Sequence, residues 1–153
     1  MALKLSTDLK NYIVNQGIAK QMAGTMGTGG TCVLNIYNGT QPADADSATS
    51  GTLLCQIINI GWGGTGNAGT IGGTAGTVSH SSGAAGFSGT AIADGTATWA
   101  RMVTFGTGFT GSAGTFRIDG DVGTASTCTF VINVAAIGNG GAVTLLTAPI
   151  SLP

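Results

Sequence analysis

The chain has 153 residues, enough for one domain that buries a substantial core without metal or disulfide staples. Only 7% of it is charged, with five Lys and Arg, six Asp and no Glu, against roughly 25% in an average soluble domain. Scattered cations and a formal net charge of −1 argue against nucleic-acid binding, because phosphate recognition needs clustered positive charge. Mean hydropathy is +0.36, yet no stretch approaches a membrane span.

A surface so poor in ionic groups favours permanent association with other subunits. The other reading is that Thr, Ser and Asn supply enough polarity for a free monomer. The opening Met1 to Leu5 lacks the apolar run and small-residue cleavage site of a secretory leader, so the chain is expected to be made in the cytoplasm.

From Ser6 to about Ala23 the pattern predicts an amphipathic helix. Leu5, Leu9 and Ile13 are four apart, and Val14, Ile18 and Met22 continue the stripe. Ser6 or Thr7 can cap it, and Asp8 suits its positive end. Gly17 weakens its middle by up to about 1 kcal/mol relative to Ala, so packing must hold it. Gly24 to Thr31 carries four glycines and reads as a hinge. Residues 1–30 are therefore expected to form a helical arm on a hinge, docked on a neighbouring subunit or folded back on its own sheet, with residues 31–153 as the body.

After residue 31 the period switches to two. Cys32, Leu34 and Ile36 share one face, and Cys128, Phe130, Ile132 and Val134 repeat the pattern. Further strands are predicted over Leu53 to Ile60, Ala97 to Phe105, Thr115 to Asp119 and Ala142 to Leu152. Between Gly61 and Gly95 lies a Gly-rich tract with few large apolar anchors, read as weak edge strands around Thr77-Val78 and Thr90 to Ile92. Ordering such a tract costs roughly 1 to 2 kcal/mol per residue, which places it near a subunit contact or an exposed tip. Phe105 to Thr115 is a Gly-rich hairpin loop with Phe109 at its tip, either an interface anchor or folded back onto the sheet. Many short strands with no helix between them favour an antiparallel sandwich or barrel.

The chain offers little for chemistry. His80 is the single histidine, so a His-based metal cluster and a His relay are both excluded. No nucleophile elbow accompanies it, and no phosphate-cradling glycine motif is present, so an enzyme is not expected. Cys32, Cys55 and Cys128 form no CxxC pair and read as small buried hydrophobes, with disulfides between subunits as the alternative. Asp44 with Asp46, and Asp119 with Asp121, each place two carboxylates two residues apart, a spacing also found in calcium loops. Neither completes that longer pattern, and surface turn chemistry is the expectation for both. Trp99 and Arg101 share a strand face, where they are expected to stack within the fold.

Several segments together resemble a family of small virion proteins encoded in tailed-phage and prophage structural gene clusters. They are LSTDLKN at Leu5 to Asn11, LNIYNGTQPADADSATSGTLLCQI at Leu34 to Ile57, GTATWARM at Gly95 to Met102, RIDGDVGT at Arg117 to Thr124, and GNGGAVTLL at Gly138 to Leu146. The cysteines and the enlarged Gly/Thr tract depart from the family pattern. The resemblance implies an all-β fold, an antiparallel β-sandwich of jelly-roll type with an N-terminal α-helix. It also implies a virion protein, and small sandwiches of this size commonly serve as capsid decoration, or cement, proteins; the expectation is a homotrimer seated on the major capsid protein at the virion surface.

That role needs no cofactor, metal, nucleic acid or membrane. It works by burying surface at several contacts at once, so that modest energies combine through avidity. The residues expected at those contacts are Leu9, Ile13 and Ile18 on the arm, Trp62 in the Gly-rich tract, and Phe109. The alternatives are a tail, neck or fibre component of the particle, and a carbohydrate-binding adhesin presenting Trp62 and Phe109.

Overall fold

The computed structural model describes residues 31–60, 77–81, 87–105 and 117–151. Every regular element among them is a strand. They are β1 (Thr31–Tyr37), β2 (Leu53–Ile60), β3 (Thr77–Ser81), β4 (Phe87–Thr90), β5 (Gly95–Thr96), β6 (Trp99–Phe105), β7 (Arg117–Gly123), β8 (Phe130–Ile132), β9 (Ala136–Ile137) and β10 (Ala142–Ser151). The helix predicted from Ser6 to Ala23 lies outside the described residues.

Eight strands form one large sheet in the order β2-β1-β6-β7-β8-β10-β3, with β4 also paired to β10. Leu145 of β10 has Ile132 of β8 on one side and Phe87 of β4 on the other. Thr147 likewise has Val131 on one side and Ser81 of β3 on the other, so β4 and β3 follow one another along a single edge of β10.

The sheet then nearly closes. Cys55 of β2 bridges Ala91, just past β4, and the Ile92 N–H donates to the Leu54 carbonyl at 2.8 Å. Gly89 makes this approach feasible, because a Cβ there would sit 2.3 Å from the Gln56 carbonyl oxygen. β5 and β9 pair separately as a small ribbon.

The pleat sorts side chains to two faces. Leu34 and Ile36 of β1, Leu54 and Ile57 of β2, Ala100 and Met102 of β6, and Val122 of β7 turn inward. They meet Phe130, Ile132, Val143 and Leu145 from β8 and β10 in one apolar core. Each large aliphatic chain buried this way contributes about 1.5 to 3 kcal/mol, which is what holds such short strands together.

Two expectations need correction. The strands are not antiparallel throughout: β7 and β8 pair in parallel, Val122 with Phe130 and Gly123 with Val131. Parallel neighbours usually require a crossover of about a dozen residues or more, but here only two residue pairs are involved and the link 124–129 suffices. In addition, β8 is not a half-buried strand. Phe130, Val131 and Ile132 are all buried, and its alternation with Cys128 and Val134 ends where those two become partly exposed.

Candidate functional site

The outer face of the sheet carries the polar organisation. Register aligns Tyr37 with Trp99 and Asp121 in one row, and Asn35 with Arg101 and Asp119 in the next. Directly opposed cross-strand side chains lie close enough to interact, so each row acts as one stabilising unit. Tyr37 and Trp99 stack at a centroid distance of 4.5 Å with planes 13° apart. Arg101 places its guanidinium carbon 5.7 Å from the Trp99 ring centre.

Arg101 and Asp119 form a two-pronged pair. Nε donates to Oδ1 and Nη2 to Oδ2, both at 2.7 Å. Only 6% of the Arg101 side chain and 5% of the Asp119 side chain are exposed. The hydrogen bonds that Arg101 donates to Asp119 raise its already high value further, so the guanidinium stays charged.

The third donor arm of Arg101, Nη1, reaches the Ser47 carbonyl at 2.9 Å. Ser47 belongs to the β1–β2 connection, residues 38–52, so an arginine in the middle of the sheet grips a loop that would otherwise project into solvent. Arg117 adds a second hold, with Nη1 3.3 Å from the Ala45 carbonyl and 4.0 Å from the Asp46 carboxylate.

The two aspartate pairs that look alike in sequence behave differently. Asp44 is turn chemistry as expected: Oδ1 accepts from the Asp46 N–H at 3.0 Å, the Ser47 N–H at 2.7 Å and the Ser47 hydroxyl at 3.0 Å. These bonds, the Ser47 hydroxyl first, hold its pKa below the usual carboxylate value. Asp119 is instead buried on a strand, against the expectation of surface turn chemistry.

Asp121 clamps the β7–β8 link. It accepts from the Thr129 hydroxyl at 2.6 Å and the Thr129 N–H at 2.9 Å, and these two bonds lower its pKa.

Among the described residues no group of three or more His, Cys, Asp or Glu is placed to hold a metal ion, and no helix could cross a membrane. Cys55 and Cys128 are free thiols, and burial first of all pushes both up from the ordinary cysteine value. His80 lies on β3 opposite Ala148.

All five predicted contact residues, Leu9, Ile13, Ile18, Trp62 and Phe109, fall outside the described residues. The strands nevertheless fix where their segments join the body. Thr31 pairs with Phe105, Cys32 with Ile60 and Val103 with Arg117. Segments 1–30, 61–76 and 106–116 therefore all attach at one end of the sheet, and the described connections 38–52, 91–98 and 124–129 lie at the other.

The feature that sequence reasoning missed is the Arg101–Asp119 pair with its grip on Ser47. The signal available was a lone arginine and a lone aspartate on neighbouring strands, and only register unites them. No family model matches the chain, and no curated protein or solved structure matches it either.

Proposed function

We propose that this chain is a structural protein of a tailed-phage particle, a capsid decoration protein that ties the major capsid lattice together by protein–protein contacts. The finer architecture that accompanies this reading is a jelly-roll-like sandwich with an N-terminal helical arm, assembled as a homotrimer and resident on the virion surface.

The observation that carries it is the shortage of ionic groups on the body. From residue 31 onward the cations are Arg101 and Arg117, and Arg101 is sealed within the outer face. Among the described residues what remains exposed is chiefly small and neutral, with Ile58 and Ile92 each more than half exposed and Leu146 exposed at 41%. Solubility of a free domain usually rests on many interspersed charges, and a body with so few of them is suited to lasting coverage by neighbours.

The common attachment of segments 1–30, 61–76 and 106–116 supports the same reading. It gathers Leu9, Ile13, Ile18, Trp62 and Phe109 onto segments leaving one end, which suits an assembly end opposite a bonded, loop-bearing end.

Electron microscopy of intact particles, with stoichiometry by quantitative mass spectrometry, tests the proposal. Hundreds of copies arrayed on the shell are expected. A handful of copies at the portal or tail would replace it with a tail or neck role. Glycan binding by the purified protein, lost in Trp62→Ala, would replace it with an adhesin.

A further inference from the structure

We propose that residues 40–50 form a latch that opens as one unit on an otherwise folded sheet, and that its opening uncovers the Tyr37–Trp99 pair.

The connection is an Ω-loop with a stitched neck. At the neck the Asn38 N–H donates to the Thr52 carbonyl at 3.1 Å, and the Thr52 N–H donates to Asn38 Oδ1 at 2.6 Å. The Thr98 hydroxyl holds the Gly39 carbonyl at 2.6 Å, anchoring the neck to the segment that leads into β6.

Gly39 and Gly51 flank the lobe with φ of 86° and 78°, and a Cβ on Gly39 would lie 3.5 Å from the Gly51 Cα. Two left-handed residues side by side make a hinge whose ends stay together while the lobe swings.

The lobe itself is internally knit and weakly seated. Asp44 gathers the Asp46 and Ser47 N–H groups, and the Ser50 hydroxyl donates to the Thr40 carbonyl. None of residues 40–50 belongs to the apolar core, and Gln41, Ala43, Asp44, Asp46, Ala48 and Thr49 are exposed. Its attachment to the outer face runs through carbonyls of Ala45 and Ser47 on the two arginines. A segment held by a few hydrogen bonds and little apolar burial opens at lower free energy than the strands beneath it.

The outer face beside its seat is unusually buried. Trp99 is 1% exposed although it points away from the core cluster, and its neighbour Arg101 is the residue the lobe sits on. The buried Trp99 Nε1 has no hydrogen-bond partner among the described residues. An unsatisfied buried N–H penalises the closed state, and hydration on opening relieves it, which narrows the gap between shut and open.

The test uses the full chain carrying Trp62→Phe, which leaves Trp99 as the single tryptophan. Its indole N–H is expected to exchange with solvent roughly tenfold or more faster than the Met102 amide of β6, with a rate insensitive to low denaturant, as sub-global opening requires. Deleting residues 40–50 and joining Gly39 to Gly51 in the same background is expected to raise acrylamide quenching of Trp99 several-fold while the strand circular dichroism persists.

Indole exchange that follows the same denaturant dependence as the β6 amides would overturn the proposal, since the latch would then open only when everything does. Unchanged quenching in a folded deletion variant would overturn it as well, because something other than this lobe would cover Trp99. Should the deletion variant not fold, the exchange measurement on the intact chain decides alone.

Discussion

The segments Asp44-Ala45-Asp46 and Asp119-Gly120-Asp121 share a spacing and almost share a sequence, yet they occupy opposite physical regimes. The first sits in a loop, where Asp44 folds inward on its own backbone and Asp46 is free in solvent. The second sits on a strand, where the pleat sends both carboxylates to the outer face and register decides their partners. Asp119 meets Arg101 directly across from it, and Asp121, opposite Trp99, turns to Thr129. Local spacing sets which face a carboxylate is on. Its energetic weight comes from what long-range pairing places beside it.

The largest break in this comparison is Asp119→Ala. It strands the Arg101 guanidinium, whose side chain is 6% exposed, without its counter-ion. Leaving a buried charge uncompensated costs about 3 to 5 kcal/mol, read as a fall in the urea midpoint. The double change Arg101→Met with Asp119→Leu is expected to recover most of that loss, because a buried ion pair contributes little beyond an apolar pair of similar size. If the single variant were silent, the pair would not be sealed as described.

The middle residue separates the regimes next. A Cβ on Gly120 would lie 2.6 Å from Thr129 Cγ2 and 2.7 Å from its Cβ, so the threonine backbone must move and loosen its bonds to Asp121. Gly120→Ala is expected to cost about 1 to 3 kcal/mol by thermal or urea unfolding, as crowding into packed sites does. Ala45→Gly in the loop motif should shift the midpoint by well under half of that.

These particulars show what was legible in the residues alone. The limits of β2 coincide with the run Leu53 to Ile60, an apolar stretch between Gly51 and Gly61, and β10 begins as expected at Ala142, just past Gly141. β3 was visible only as a faint edge at Thr77-Val78, and the strand expected over Thr90 to Ile92 meets β4 only at Thr90, since the Gly-rich tract has few anchors and both strands are held by β10. The parallel β7–β8 pair was not legible. It depends on Asp121 holding the link through Thr129, eight residues away, and no periodicity encodes that. The Trp99–Arg101 stacking was legible because both lie on one strand, but Asp119 and the grip on Ser47 come from other segments.

A smaller effect is expected at Asp121. Its bonds to the Thr129 hydroxyl and N–H hold its folded pKa below the ordinary value, and its unfolded value is that of a free carboxylate, roughly 4. The sign follows from linkage: the contribution is complete above about pH 4 and disappears as pH falls through the depressed folded value. Asp121→Asn is expected to lower stability at neutral pH by about 0.5 to 1 kcal/mol, discounted for the exposure of this carboxylate. It should also flatten the fall in stability below about pH 4. An unchanged acid slope in urea titrations from neutral to acidic pH would show that the clamp does not depend on the ionised form.

The smallest effect belongs to Asp46, and it is the sharpest control on the comparison. Its carboxylate is fully solvent-exposed and sits 4.0 Å from Arg117 Nη1, at the outer limit of an ion pair. At about 0.15 M salt such a pair is screened and contributes nothing measurable, so Asp46→Ala should leave the urea midpoint where it was. Asp44→Ala, by contrast, removes the acceptor for three donors in the same loop and should raise the exchange rates of the Asp46 and Ser47 amides. Two carboxylates two residues apart would then differ for one reason, the direction in which each side chain turns. A midpoint shift for Asp46→Ala that vanished at high salt would instead make the Asp46–Arg117 ion pair a fastening of the loop beside the Ala45 carbonyl bond, and the two motifs would be less unlike than their geometry indicates.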